Sequence, residues 1–231
     1  MSERQRQIYQ NDGDRYEALI AREDYQRNIE KALDEIVRVE GLDVLDLGAG
    51  TGRLAVMLAP RTKSMRAFDV SEEMLRVCRQ KFEAKGLTNW QVDVADHRSI
   101  PVADQSADLV VSGWSVAYLY VWHPETWKDE LEKWLGEMKR ILRPGSFIVL
   151  FESLTTGSEI PVKLAHLQDY YPWLDEAGFR NKWIRTDYKF ESVDEAEELS
   201  RFFFGDELGD KVRQNKWVIL PECTGVWWLM I

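Results

Sequence analysis

Short apolar runs alternate with amphipathic segments through the middle of the chain. Five runs have the length and apolar content of strands, at residues 44–47, 65–69, 90–94, 108–112 and 146–152. The segments between them carry apolar residues every three or four positions, as in the helix face formed by Met74, Leu75, Cys78 and Phe82. This alternation predicts an α/β fold with a mostly parallel sheet and helices on both faces.

The last third of the chain has a different pattern. Residues 162–177 predict a helix that Pro172 kinks or breaks and that ends at Gly178. Residues 179–190, 217–220 and 226–231 have the character of strands, and Ser192 with Glu195 forms a capping box at the start of a further helix. We therefore expect a C-terminal antiparallel strand pair with a helical insertion between its members, at about residues 179–231.

Composition narrows the function classes. The chain has 231 residues, with 30 Lys and Arg against 40 Asp and Glu, so its formal net charge is −10. An acidic balance argues against a nucleic-acid surface, which needs clustered cations. Ten tryptophans predict either a heavy aromatic core or an aromatic-walled pocket, and the pattern leaves both open.

The cysteines and the hydropathy of the chain argue against a disulfide scaffold, a metal site and a membrane span. Cys78 and Cys223 are far apart and have no ligand-like spacing, so we expect neither a disulfide scaffold nor a metal site. The first thirty residues are polar and no apolar run reaches the length of a membrane span, so we expect a cytoplasmic protein without membrane contact.

The most informative segment runs from Asp46 through Gly48, Ala49, Gly50 and Gly52 to Arg53. A buried strand runs directly into glycines, which let a ligand approach the backbone, and a helix follows. The spacing is G-x-G-x-G, because Arg53 stands where a dinucleotide-binding loop needs its last glycine. An acid inside the strand is a poor neighbour for pyrophosphate and a good one for a cationic ligand.

Acids also follow the next two strands. Asp69 ends the second strand about twenty residues beyond the loop, where an acid commonly binds ribose hydroxyls; capping the helix ahead of Ser71 is the alternative. Asp93 and Asp96 close the third strand, followed directly by His97.

Together these motifs resemble the class I S-adenosylmethionine-dependent methyltransferases over roughly residues 42–152. The match includes the run from Met138 to Gly145 that leads into the fifth strand. The resemblance implies a Rossmann-like, doubly wound sheet of seven strands in the order 3-2-1-4-5-7-6, with the last strand antiparallel. It also implies that residues 1–40 form a helical lid and residues 41–231 the methyltransferase domain.

The resemblance assigns the cofactor, S-adenosyl-L-methionine, to specific positions. Its methionine part would lie on Gly48, Ala49 and Gly50, with Asp46 near the ammonium group. Ser112, at the end of the fourth strand, would lie where the sulfonium points.

The adenosine part has its own set of implied contacts. Asp69 would accept from the ribose hydroxyls, and Val70 and Met74 would pack on the adenine. Asp96 is preferred over Asp93 for the adenine amino group because it lies five residues before Pro101, as the family's acid does. His97 would lie beside it as a structural neighbour rather than a catalyst.

Methyl transfer from a sulfonium is an in-line displacement, so the protein chiefly aligns two partners and excludes water. A base is needed only if the acceptor must lose a proton. His123 is a candidate base, although His-Pro before a helix is also a plain helix entry. We expect Tyr16, Trp114 and Tyr118 to line the substrate pocket; for the last two, a place in the core is the alternative.

The sequence thus predicts a methyltransferase with a small-molecule acceptor, and it leaves the acceptor atom and the oligomeric state open. One alternative is a module that binds the cofactor without catalysis. Another is a serine hydrolase, because Gly113-Trp114-Ser115-Val116-Ala117 nearly matches a nucleophile elbow. Its last glycine is replaced, and only His123 or His166 follows Ser115 as a base.

Overall fold

The computed structural model describes residues 3–162 and 164–231 of the chain, so residue 163 of the predicted 162–177 helix lies outside the described residues. The described strands are β1 (Asp43–Leu47), β2 (Ser64–Asp69), β3 (Trp90–Val94), β4 (Ala107–Gly113), β5 (Leu142–Thr156), β6 (Arg180–Arg185), β7 (Tyr188–Lys189), β8 (Ile219–Leu220) and β9 (Glu222–Met230). The described α-helices are α1 (Glu3–Asn11), α2 (Gly13–Ile20), α3 (Asn28–Asp34), α4 (Arg53–Leu58), α5 (Glu72–Ala84), α6 (Ala117–Trp122), α7 (Trp127–Ile141), α8 (Tyr170–Glu176), α9 (Val193–Phe204) and α10 (Asp206–Asn215). No helix in this part of the chain has both the length and the apolar content to cross a membrane.

The main sheet has seven strands in the order β3-β2-β1-β4-β5-β9-β6. Strands β1 to β5 pair in parallel, and β9 is antiparallel to both of its neighbours. Counting β9 as the seventh strand of this sheet, the predicted order 3-2-1-4-5-7-6 is confirmed. The register pairs Leu47 with Phe68 and Asp69 with Val94, so the carboxyl ends of β1, β2 and β3 meet at one edge.

Both faces of the sheet are covered, as the near-continuous apolar strands predict. On one face, Leu45 packs with Trp134 of α7 and Tyr170 of α8 in a buried cluster. On the other face, Val44 packs in a second cluster that includes Cys78 of α5. Adjacent residues of β1 point to opposite faces, so a strand covered on both sides must be apolar at almost every position.

The C-terminal region has the predicted construction, with β6 and β9 paired antiparallel and a helical insertion between them. The predicted single strand at residues 179–190 is wrong, because the chain leaves the main sheet after Arg185 and β7 pairs with β8 instead. Asp187 holds this break: its Oδ1 accepts from the Glu222 backbone N–H at 3.0 Å and from the Arg185 Nε at 2.8 Å.

The predicted helix at residues 162–177 is also wrong in its extent. A 3-10 turn covers Ala165–Leu167, and the α-helix begins only at Tyr170. Pro172 is the third residue of α8 and neither kinks nor breaks it, because N–H groups in a first turn have no partner within the helix. Gly178 follows the helix end with φ of 91°, consistent with the predicted stop.

The N-terminal helices lie on α5. The Ser71 hydroxyl, which caps α5, donates to the Tyr9 carbonyl at 2.5 Å. Asp14 of α2 pairs with Arg76 at 2.8 Å, and Glu17 pairs with Lys81 at 2.6 Å. These contacts hold α1 and α2 beside the carboxyl edge of the sheet.

Candidate functional site

A cavity of about 440 Å³ lies at the carboxyl edge of β1, β2 and β4 and is bordered by α1 and α2. We call it the first cavity. Nine of the ten residues predicted to contact the cofactor line it: Asp46, Gly48, Ala49, Gly50, Asp69, Val70, Met74, Asp96 and His97. Tyr16, Trp114, Tyr118 and His123 line it as well. The topology thus brings together acids, glycines and aromatic residues that come from separate strands.

Ser112 is the predicted cofactor residue that does not line this cavity. Its side chain is buried, and its hydroxyl donates to the Leu47 carbonyl at 2.7 Å. The hydroxyl therefore joins the ends of β4 and β1. The next residues along the chain, Gly113, Trp114 and Ser115, border the cavity in its place.

Two glycines of the loop have different reasons to lack a side chain. Gly48 has φ of 67°, and a Cβ there would lie 1.8 Å from the Ser115 Oγ, so no other residue fits. Gly50 has φ of 54° and no atom within 4 Å of its would-be Cβ. It leaves open space on the cavity side of the loop, which a ligand can occupy.

Asp69 ties this loop to the helix that follows β2. Its Oδ2 accepts from the Gly50 N–H at 2.9 Å, and its Oδ1 accepts from the Ser71 N–H at 2.8 Å. Burial raises the pKa of this carboxyl. The Val70 N–H is a third backbone donor to this carboxyl, so one of its four acceptor sites stays free for a hydroxyl donor. The capping alternative holds in part, since Asp69 supports Ser71 while Ser71 itself caps α5.

Asp46 is fully buried beneath the loop. Its Oδ2 accepts from the Ala55 N–H of α4 at 2.9 Å, whereas its Oδ1 has no partner among the described residues. Burial raises the pKa of this carboxyl to about 7. A buried oxygen without a donor is unfavourable, so this position is suited to a ligand that brings an N–H or a positive charge.

Asp96 lies at the end of the cavity beyond β3. Arg98 binds both of its oxygens, at 2.7 and 2.6 Å, and lowers the pKa of the carboxyl to about 2. Asp93 is not among the residues that line the cavity, and its Oδ2 accepts from the Gln91 side chain at 2.7 Å. Of these two acids, only Asp96 lines the cavity.

His97 contacts Ser115, with 3.2 Å between Nε2 and Oγ. Its Nδ1 has no partner among the described residues, so no carboxylate orients the ring. Burial lowers the pKa of His97 to about 4. The Ser115 hydroxyl is packed against Gly48, and its histidine neighbour is neither of the two that the hydrolase interpretation names. This arrangement lacks the acid–base–nucleophile order of a hydrolase.

Trp114 forms a wall of the cavity in a strained conformation. It has φ of 52°, which is uncommon for a bulky residue, and its N–H donates to the Phe151 carbonyl at 2.6 Å. The Arg53 guanidinium carbon lies 3.7 Å from the centre of its ring, and Arg53 also pairs with the buried Glu23 at 2.5 Å. The strain directs the indole ring to a position where two cavities adjoin.

A second cavity of about 370 Å³ adjoins the first. The residues that line both are Tyr9, Tyr16, Ile20, Arg53, Trp114 and Tyr118. The Tyr9 and Tyr118 hydroxyls are 2.6 Å apart, which joins α1 to α6 at this boundary. The second cavity extends toward β5, α9 and α10 and includes Glu152 in its lining.

Sequence reasoning missed Tyr9, Arg53 and Glu152 as site residues. Tyr9 lies on a short polar helix that has no motif, and Arg53 served only to exclude a dinucleotide loop. Glu152 carried a usable signal, because it ends the apolar run of β5 at the same edge of the sheet as Asp69.

Comparison with known proteins finds similar sequences and a similar fold. Residues 44–145 match the family model described as a methyltransferase domain. The malonyl-[acyl-carrier protein] O-methyltransferase of Pectobacterium atrosepticum is 30% identical over 144 residues, which are 62% of this chain and 49% of that protein. The ubiquinone/menaquinone biosynthesis C-methyltransferase UbiE of Bordetella avium is 32% identical over 154 residues, covering 61% of this chain and 55% of that protein. The chain thus spans about half the length of these two curated relatives.

A solved structure agrees in fold. The S-adenosylmethionine-dependent methyltransferase from Aquifex aeolicus superposes with a TM-score of 0.55 over 87% of this chain and 89% of that one. Its sequence identity is 21%, so the likeness concerns the arrangement of strands and helices.

Proposed function

We propose that this chain is an S-adenosylmethionine-dependent methyltransferase of the class I, Rossmann-like family, acting on a small-molecule acceptor; the match of residues 44–145 to a methyltransferase domain supports this. One observation carries the proposal. The open side of Gly50 lies in the same cavity as Asp46, which has an unpartnered oxygen, and Asp69, which has an acceptor site free. This cradle fits a nucleoside with a cationic amino-acid tail.

The residues present match the chemical parts of that cofactor. Asp46 would hold the ammonium group above Gly48, Ala49 and Gly50. Asp69 would hold the ribose hydroxyls, because its carboxylate lines the cavity and keeps an acceptor site beside its backbone donors. When bound, the cofactor supplies a methyl group on a positively charged sulfur that a nucleophile can displace.

The adenine would lie at the end of the cavity that Asp96 borders. Val70 is exposed and Met74 is buried there, so together they offer an apolar edge against which a flat ring can pack. Asp96 keeps lone pairs free beside Arg98 and could accept from an amino group. His97, which burial keeps neutral, would act as a neighbour of the ring.

Tyr9 and Tyr16 support a lid function for residues 1–40, with residues 41–231 forming the methyltransferase domain. Both side chains line the first and second cavities; the Ser71 bond to the Tyr9 carbonyl holds α1 on α5, and the Asp14–Arg76 pair holds α2 there. A lid in this position excludes water from the boundary between the cavities, where displacement at the methyl group would occur.

The acceptor would occupy the second cavity, which adjoins the first at Trp114 and Tyr118. The names of the two curated relatives, one for malonyl-[acyl-carrier protein] and one for ubiquinone and menaquinone biosynthesis, support a small acceptor group. His123 lines the first cavity and not the second, so its position gives no support to a role as base. A cytoplasmic location stays a prediction from the sequence.

The test is calorimetry with S-adenosylhomocysteine, followed by a search for release of S-adenosylhomocysteine from S-adenosylmethionine across acceptor libraries. We expect binding, and turnover with at least one small acceptor. Binding without turnover would favour the non-catalytic module. Absence of binding would refute the proposal. An esterase activity lost in Ser115→Ala would favour the hydrolase.

A substitution at Gly50 tests whether the first cavity binds the cofactor. We expect Gly50→Val to abolish binding of S-adenosylhomocysteine while the melting transition stays cooperative, because the new side chain fills the open side of the loop. Unchanged binding by this variant would contradict the assignment of the first cavity to the cofactor.

A further inference from the structure

The charges that line the second cavity are almost all paired with one another. Glu23 pairs with Arg53 at 2.5 Å, and Glu207 pairs with Lys211 at 2.8 Å. Burial lowers the pKa of His166, which also lines this cavity, so it supplies no positive charge at neutral pH. Among the described residues, Glu152 is the acid of this lining that has no cationic partner.

Glu152 ends the buried part of β5 and is only 3% exposed. Its Oε1 accepts from the Ala117 N–H and from the Tyr170 hydroxyl, each at 3.0 Å. Both donors are neutral, and both bonds end on the same oxygen. Burial raises the pKa of this carboxyl to about 7. A buried carboxylate without a counter-ion is costly, and a cationic ligand would offset that cost.

The titratable groups nearest to Glu152 are tyrosines. Tyr118 of α6 and Tyr170 and Tyr171 of α8 all interact with it, and each has its pKa raised above the ordinary value. They are neutral at the pH where Glu152 ionises. None of them can therefore balance the Glu152 charge.

The walls of the second cavity are aromatic. They include Tyr16, Trp114, Tyr118, Tyr188, Phe203 and Phe204. Aromatic faces attract ammonium groups by their quadrupole, and they pack well on an apolar ligand body.

From this charge pattern we propose that the second cavity takes a methyl acceptor that carries a protonated amine on an aromatic or apolar body, with Glu152 as the counter-ion of the amine. The methyl-acceptor role of this ligand rests on the proposed function. The binding of an amine rests on the second cavity alone. Glu152 is adjacent in space to α6 through its bond with Ala117, and Tyr118 of α6 lines both cavities. The amine site is thus close to the boundary between the two cavities.

An anionic acceptor is a poorer match for the same cavity. Arg53 already pairs with Glu23, and burial together with Glu23 raises the pKa of the neighbouring Glu222 well above its ordinary value. A carboxylate brought to Arg53 would therefore meet two acidic groups that already compete for this cation.

The experiment measures binding of three small probes by calorimetry in the presence of saturating S-adenosylhomocysteine, which keeps them out of the first cavity. The probes are 2-phenylethylamine, 2-phenylethanol and 3-phenylpropionate. We expect the amine to bind at least about tenfold more tightly than the other two. We also expect amine binding near pH 7 to release protons to the buffer, because the ammonium group stabilises the ionised form of Glu152.

Two variants complete the test. Glu152→Gln keeps both hydrogen bonds to Oε1 and should lose the preference for the amine and the proton release. Glu207→Gln removes the same charge from the exposed rim of the cavity and should change amine binding by less than about twofold.

Equal affinity for the alcohol, a preference for the carboxylate, no binding of the amine, or an amine preference retained in Glu152→Gln would each overturn the inference. Failure of S-adenosylhomocysteine to bind is a separate result, read before any probe is added. It would refute the proposed function. The probes would then test only whether the second cavity binds an amine.

Discussion

The two cavities are built by different parts of the chain. The first is formed by strand ends and by the backbone of one loop, in which the Gly50 N–H donates to Asp69 at the end of β2. The second is formed by side chains from α1, α2, α6, β5, α9 and α10, which are far apart in sequence. A cavity made of backbone accepts few substitutions, whereas one made of side chains can change its ligand without changing the fold.

The comparison extends to one buried acid in each cavity. Asp46 accepts from a backbone N–H of α4, and Glu152 accepts from a backbone N–H of α6. Burial raises the pKa of both to about 7. Each acid therefore destabilises the empty protein and becomes favourable only when a cation is bound, which is the usual conflict between stability and function.

The largest expected effect is a loss of stability when Gly48 is replaced, and it should exceed the loss at a glycine that has backbone strain alone. Gly48→Ala should lower the free energy of unfolding by about 2–5 kcal/mol, because left-handed backbone strain adds to the overlap with Ser115. Gly86→Ala is the matched control, since Gly86 has φ of 63° and open space around it, and it should cost only about 1–2 kcal/mol. Chemical denaturation checks both values, and equal losses would show that the contact with Ser115 is not what requires glycine.

Glu152→Gln should raise the free energy of unfolding above neutral pH, whereas Gly48→Ala lowers it. The pKa of Glu152 is about 7 in the folded protein and lower in the unfolded chain, so the folded state binds the extra proton between these values. The Glu152 contribution to stability therefore falls as pH rises through this window and stays low above it. We expect the variant to be more stable than the parent at pH 8, by up to about 3 kcal/mol, and nearly equal to it at pH 4. A variant that is less stable at pH 8 would contradict this.

Asp69→Ala should weaken binding of S-adenosylhomocysteine by more than about 1.5 kcal/mol, because two charge-assisted hydrogen bonds disappear. Calorimetry gives the dissociation constant. Asp69→Asn, which keeps one acceptor for the Gly50 N–H, should lie between the parent and the alanine variant. An unchanged dissociation constant in Asp69→Ala would remove the ribose assignment.

The smallest effect is a pH dependence in the first cavity. The Asp46 carboxyl must be ionised to pair with an ammonium group, and its pKa in the free protein is about 7. Affinity for S-adenosylhomocysteine should thus fall as pH is lowered below 7, by at most about tenfold per pH unit. The slope should disappear in Asp46→Asn. A slope that persists in that variant would assign the proton to another group.

The predicted site residues that the structure brings into one cavity are those whose sequence signal was local. The spacing of Gly48 and Gly50 and the acid at the end of β2 lie within single strand–loop–helix units, and such units form in similar ways in many proteins. Ser112 shows the limit of this reasoning. Its place at the end of β4 was predicted correctly, but the pleat directs its hydroxyl toward the Leu47 carbonyl, away from the cavity.

The sequence by itself determined the alternation of strands and helices, the glycine loop and the positions of the acids Asp46 and Asp69, because hydrophobic periodicity and short-range spacing specify these features. The strand order was implied by the resemblance to the methyltransferase family. Tertiary structure alone decided that Tyr9 of α1 meets Tyr118 of α6 and that Glu152 has no cationic partner among the described residues. Such relations depend on which distant segments pack together and on the charges that each brings. The physical reason is that conformation is encoded locally, whereas the electrostatic balance of a cavity is a sum over everything that surrounds it.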